Sequence, residues 1–242
     1  VRRELGPFEA LGIRAVEAQH LVSTRKLVDS DAAQRLLEEL LDAHKPPPPP
    51  EAAGLHYLLF TPFRYPPLGH GSRFGRRHER GLFYASLSSA TCLAEVAYYR
   101  LLFLEGSAAM LAPLEVDLTL FRARVRSERG VDLGSDAFSR WHQALRSPSD
   151  YGFTQAMGSE MREEGVEAFL FTSARDPRAE RNLGVFSPAA LGRGRPHGMQ
   201  TWHAFATRGG VEMRRKDFFQ IEVLSFPRAL FEVDGVLPMP AS

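Results

Sequence analysis

Cysteine is almost absent from this 242-residue chain, with Cys92 the single example. One thiol excludes an intramolecular disulfide framework and any zinc site built from four cysteines, and it suits a reducing cytoplasm. Net charge is equally scarce. Thirty basic side chains oppose 29 acidic ones, a formal charge of +1, so nothing global marks nucleic acid or a membrane surface as a partner. Lysine occurs only at positions 26, 45 and 216, and with arginine as the default cation no arginine is informative merely for being one. No run of about 18 uncharged apolar residues exists, so a spanning helix is not expected. Val1-Arg2-Arg3-Glu4-Leu5 lacks the apolar stretch of a secretory signal. The eight histidines are scattered without HExxH or comparable ligand spacing, and no metal is expected.

What remains is ordinary globular composition, 44% hydrophobic and 24% charged, long enough to bury a core without staples. Leucines recur on one face of residues 32–41, with Ser30 or Asp31 available as N-cap, and predict a helix. It ends before the Pro46–Pro50 run, which lacks backbone donors and favours an extended polyproline spacer. This sets the expected boundary: residues 1–50 as a helical arm and linker, residues 51–242 as the main domain. Beyond it, strands are expected at 56–60, 81–86, 114–126, 166–172 and 218–224, and helices at 88–103 and 154–164. That mixed order predicts an α+β fold.

Glu95 is the most informative residue. It is the only charged side chain between Gly81 and Tyr99, in a helix whose neighbours Leu93, Ala94, Val96 and Ala97 are apolar. A carboxylate there must face a cleft, find a partner or point to solvent, because burying it unpaired costs several kcal/mol. Upstream, Arg64-Tyr65-Pro66-Pro67 and Gly69-His70-Gly71-Ser72-Arg73-Phe74-Gly75 put glycines beside arginines, a loop suited to phosphate or simply to solvent. No Gly-Lys-Ser/Thr closes it, so it is not a P-loop. Ser173 ends the strand at 166–172, where a serine serves as a site residue or a turn former. No Gly-x-Ser-x-Gly surrounds it, which leaves a serine nucleophile unsupported.

In sequence, the blocks Gly71-Ser72-Arg73-Phe74, Gly81-Leu82-Phe83-Tyr84-Ala85-Ser86, Ala90-Thr91-Cys92-Leu93-Ala94-Glu95-Val96, Phe171-Thr172-Ser173-Ala174-Arg175 and Arg181-Asn182-Leu183-Gly184-Val185-Phe186 resemble the RES domain family. The run Pro62–Pro67 and the arm before it are similar to the branch of ParT-type toxins held by ParS-type antitoxins. One departure is Phe74, where many family members carry tryptophan. The resemblance implies an ADP-ribosyltransferase-like fold of small mixed sheets with flanking helices. It implies a toxin that takes NAD as substrate, cleaves the nicotinamide–ribose bond and transfers ADP-ribose to an acceptor, with a protein ranked first. NAD hydrolysis or phosphorolysis is the alternative, and a cognate antitoxin is the implied partner. Glu95 would stabilise the ribosyl charge. Arg73, with Arg64 as its rival, would grip the pyrophosphate; Tyr84 and Tyr65 would pack against nicotinamide or ribose. Ser173 would position ribose or Glu95, and Asn182 would join the NAD contacts. Arg73 is preferred because it precedes Tyr84 by the same interval that separates Tyr84 from Glu95. The readings from other classes are an RNA-directed toxin using the arginines between 64 and 80, and a non-catalytic interaction module.

Overall fold

The computed structural model describes residues 1–18, 28–67, 69–107, 113–192, 194–217 and 220–240. Lys26 and the start of the strand expected at 218–224 lie outside them. Among the described residues eight strands form one sheet: β1 (Gly6–Glu17), β2 (Phe83–Ser86), β3 (Leu114–Asp132), β4 (Ala168–Thr172), β5 (Arg181–Val185), β6 (His197–Thr207), β7 (Gly210–Lys216) and β8 (Ile221–Pro227). Their order is β1-β2-β5-β4-β3-β6-β7-β8, and β1 also pairs with β3. The first five strands therefore close into a ring, from which β6–β8 extend as a flap. Only β3–β4 is parallel. The helices are α1 (Asp31–His44), α2 (Tyr57–Arg64), α3 (Ser89–Gly106), α4 (His142–Leu145) and α5 (Gly152–Glu163). The α+β expectation holds, with the strands joined in one hydrogen-bonded network.

β3 carries the architecture because its length lets it serve three neighbours. Its two faces are buried in turn: Leu118 and Leu120 point to one core, whereas Phe121, Ala123 and Val125, on the opposite face, point to another. The pairing with β1 runs unbroken through this stretch, and the register shift against β6 between Leu120 and Arg122 places the extra residue on β6. On the flap side, Leu93, Ala97 and Leu101 of α3 share a core with Trp202, Ala204 and Met213. Leu58, Leu59 and Phe63 of α2 join Phe83, Phe121 and Val125 at the ring. Met157 and Met161 of α5 pack with Phe74, Phe169 and Phe171.

Two expectations need correction. Residues 56–60 form helix, not strand: His56 caps α2 by accepting from the Leu58 amide, and a short apolar run alone does not distinguish the two states. Residues 6–17 are not part of a helical arm. They form β1, paired with β3 from Gly6↔Gly130 to Glu17↔Leu118, and the ring cannot close without them. The alternation there is diluted by small inward residues, Ala10 and Gly12; a Cβ at Gly12 would press on Ala85 and Leu183 at 2.9 Å. The helix at 31–44 does form, with Ser30 Oγ accepting from Ala33 N at 3.2 Å. Pro49 is extended, φ −62° and ψ 143°. Among the described residues no helix is long and apolar enough to cross a membrane.

Removing residues 1–17 is expected to abolish cooperative thermal unfolding, because it strips one side of β3 along most of its length. A chain starting at residue 51 that melted sharply at the full-length Tm would contradict this placement of β1.

Candidate active site

Tight backbone geometry sets the site. Ser72 and Gly75 bridge each other, Ser72 N donating to Gly75 O at 2.7 Å, so Arg73 and Phe74 occupy the tip of a small turn. Gly71 enters it at φ +79°, a left-handed conformation in which a side chain would also strike Gly75 O. Phe74 is fully buried, with Phe169 and Phe171 at ring distances of 4.8 Å. That anchor leaves Arg73 at the cleft.

Tyr84 fastens the same turn from β2. Its Oη accepts from Phe74 N at 2.9 Å and bonds Ser72 Oγ at 3.1 Å. Burial pushes its phenol up to about 12, against the opposing pull of Ser72, the Phe74 amide, Arg73 and Arg162. At neutral pH it is an uncharged hydrogen-bonding group. Arg73 stacks over Tyr151 at 4.6 Å, and its Nη1 donates to Ser147 O at 2.9 Å and Leu145 O at 3.3 Å.

Glu95 lies on the second turn of α3, whose start is fixed by Ser88 Oγ accepting from Thr91 N. Its carboxylate is half-buried. Oε1 accepts from Ser173 Oγ at 2.6 Å and from Asn182 Nδ2 at 2.7 Å. Among the described residues no hydrogen bond reaches Oε2, and Glu95 lines a cavity. Ser173 is both of the things its position allowed. Its hydroxyl supports Glu95 and also accepts from Arg175 N at 3.1 Å and Asp176 N at 3.0 Å, shaping the turn after β4. One helical turn before Glu95, Thr91 Oγ1 donates to Asp176 Oδ2 at 2.8 Å. Helix α3 is thus tied to that turn at two points.

The cleft has two chambers. The inner one, about 170 Å³, is lined by Arg14, Arg73, Tyr84, Glu95, Tyr99 and Asn182 among others. The outer one, about 490 Å³, is walled by Tyr57, Tyr65, Pro66, His70, Tyr99 and Tyr151 with their neighbours. Arg14, Ser72, Tyr84 and Tyr99 belong to both walls. The structure therefore gathers Arg73, Tyr84, Glu95 and Asn182 in the inner chamber, puts Tyr65 in the outer, and has Ser173 behind Glu95. Arg64 lines neither chamber. Its Nε bonds Pro46 O, and its guanidinium lies 5.9 Å from the Tyr65 ring.

Sequence reasoning missed Arg14. It is the one charge among the inward residues Phe8, Ala10, Gly12, Arg14 and Val16 of β1, a signal readable only once 6–17 is known to be a strand. Its Nη1 donates to Tyr84 O at 2.6 Å, while Nε is sealed from solvent without a partner. Burial lowers its pKa, countered by nearby Cys92. Burial also pushes the Cys92 thiol up to about 12, so the neighbour is no counter-ion. Among the described residues Arg14 forms no ion pair, and its guanidinium lies over the Phe83 ring at 5.1 Å.

The sequence profile of the RES domain matches residues 48–205. No curated protein matches the chain. A solved structure, described as "Crystal structure of the M.tuberculosis MbcT-MbcA toxin-antitoxin complex", aligns with 85% of this chain and 88% of its own at 14% identity and a TM-score of 0.45.

The Asp176 carboxyl is held below its ordinary range: burial alone would raise it, but hydrogen bonds from the Arg178 side chain and amide and from Thr91, with the Arg178 charge, outweigh that effect. A depressed folded pKa stabilises the fold above the unfolded value of about 4, and the contribution is lost as pH falls through the folded pKa. The Tm of the parent protein should therefore exceed that of Asp176→Asn at neutral pH, with the gap closing below about pH 4. A gap independent of pH would contradict the assignment.

Proposed function

This chain belongs to the RES domain family, and on that premise we propose that its two-chambered cleft binds NAD and breaks the nicotinamide–ribose bond. The observation that carries the reading is Glu95: one carboxylate oxygen is held by Ser173 and Asn182, and the other is left to a cavity whose other charged wall residues are Arg14 and Arg73. Cleavage of a C–N glycosidic bond builds positive charge on the ribose, as in other oxocarbenium-like transition states. A fixed carboxylate stabilises that charge without reorganising at the moment of reaction. The nicotinamide ribose belongs beside Glu95. The pyrophosphate sits at the waist shared by the chambers, where Arg14 offers a guanidinium without an ion pair and Arg73 adds a second from the inner wall. The adenosine half takes the outer, tyrosine-walled chamber, whose flat rings suit an aromatic base. Tyr84 holds the Arg73 turn in place as a neutral phenol.

We read the acceptor of ADP-ribose as a protein, with water or phosphate as alternatives that share every step up to bond cleavage. We also read the chain as the toxin of a toxin–antitoxin pair, held by a cognate antitoxin. Support for the toxin reading is the family resemblance alone. Co-expression with the product of the adjacent gene should relieve growth arrest and yield a complex; arrest that persists beside a bound or unbound product would count against it.

Incubating the purified chain with NAD, with and without phosphate and candidate proteins, and measuring free nicotinamide tests the reaction. Nicotinamide is expected, and Glu95→Gln should lower kcat about 10²- to 10³-fold while keeping the Tm. Full turnover by folded Glu95→Gln would overturn its role, and no release by the parent would overturn NAD cleavage. In NAD titrations Arg73→Ala should weaken binding more than Arg64→Ala, because Arg64 lies off both chambers. The reverse order would refute the choice of anchor.

A further inference from the structure

We propose that Ser86 is a positioning residue for Glu95, acting through Asn182. The inference rests on the reading of Glu95 as the group at the reacting carbon, and it adds a residue to which no role has been given. Ser86 and Asn182 face each other across the β2–β5 ladder, and both are buried, 3% and 4% exposed. Ser86 also holds the sole β1–β2 pairing, opposite Ile13. Its backbone is therefore fixed from both sides, at the wall of the inner chamber, and its hydroxyl turns to Asn182.

The order of donors follows from the chemistry of the three groups. An ionised carboxylate only accepts, so Asn182 must turn its amide nitrogen toward Glu95. Its carbonyl oxygen then points away and needs a donor. Ser86 Oγ lies 2.7 Å from Asn182 Oδ1 and can supply one. The chain of donation is Ser86 Oγ to Asn182 Oδ1, then Asn182 Nδ2 to Glu95 Oε1 at 2.7 Å. Flipping the amide would place its oxygen against the carboxylate, two acceptors face to face. Ser86 makes that flip costly because its hydroxyl favours the oxygen on its own side. Ser173 supplies the second donor to Oε1 from another strand end. Together they fix the carboxylate plane and thereby the direction of Oε2. Without Ser86, Asn182 Oδ1 is left buried without its donor, and the bond to Glu95 alone holds the amide's orientation.

The test combines kinetics with structure. Ser86→Ala should lower kcat for nicotinamide release about ten- to hundred-fold, with KM for NAD within about two-fold, because misaiming a group at the reaction centre costs rate rather than ground-state binding. In the Glu95→Gln background the same substitution should have no further effect on the residual rate, since its action passes through the carboxylate. Asn182→Asp, which keeps the bond to Ser86 but turns an acceptor toward Glu95, should lower kcat at least as far. A purely structural Ser86 predicts equal fold-losses in both backgrounds; that result, or an active Asn182→Asp, overturns the proposal. Crystal structures of Ser86→Ala and Asn182→Asp without ligand read the positioning directly. The Glu95 carboxylate should shift by more than about 0.5 Å or rotate off Oε1's partners, and an unmoved carboxylate in both would overturn the proposal even if the parent cleaves no NAD.

Discussion

The two hydrogen bonds that converge on Glu95 Oε1 join parts of the molecule that the chain builds far apart. Helix α3 brings the carboxylate, the end of β4 brings Ser173, and β5 brings Asn182. A half-buried carboxylate in the apolar first half of α3 would be expensive alone. Satisfying it on one oxygen fixes α3 against the ring, and Thr91 and Asp176 repeat the attachment one turn earlier. Both chambers depend on this seam. If α3 shifted, Tyr99 would leave their shared wall, and Val96 and Cys92 would leave the inner one.

On the opposite wall the polarity is reversed. Arg14 comes from β1 with a sealed, unpartnered Nε, and its Nη1 is spent on the Tyr84 carbonyl. The group whose charge would oppose its burial is the Cys92 thiol, which burial keeps protonated. Glu95 does not neutralise it, because no ion pair joins them among the described residues. The cleft thus holds a fixed anion and an uncompensated cation apart. That separation suits a ligand carrying developing positive charge at one end and phosphate in the middle. Tyr84 serves both walls, its carbonyl bound to Arg14 and its hydroxyl to the Phe74 amide.

Much of this was legible before the fold was known. Glu95 stood out through the absence of other charges around it, and the helix, the strand holding Tyr84 and the strand ending at Ser173 followed from periodicity. Two things were not legible, for different reasons. The change of buried face at Leu120–Phe121 is set by which core covers each side of β3, which no local pattern encodes. β1 was hidden because Ala10 and Gly12 interrupt its inward apolar row, Gly12 where the chain passes close to Ala85 and Leu183, and Arg14 was hidden with it. The Ser86–Asn182 bond is a cross-strand contact that register alone reveals.

The account turns on where a dinucleotide lies, and a crystal structure with a non-cleavable NAD analogue measures that directly. The anomeric carbon of the nicotinamide ribose should lie within about 3.5 Å of Glu95 Oε2, with the pyrophosphate against Arg14 and the adenine in the outer chamber. A ligand bound in the reverse sense, or one whose pyrophosphate avoids Arg14 altogether, would contradict it.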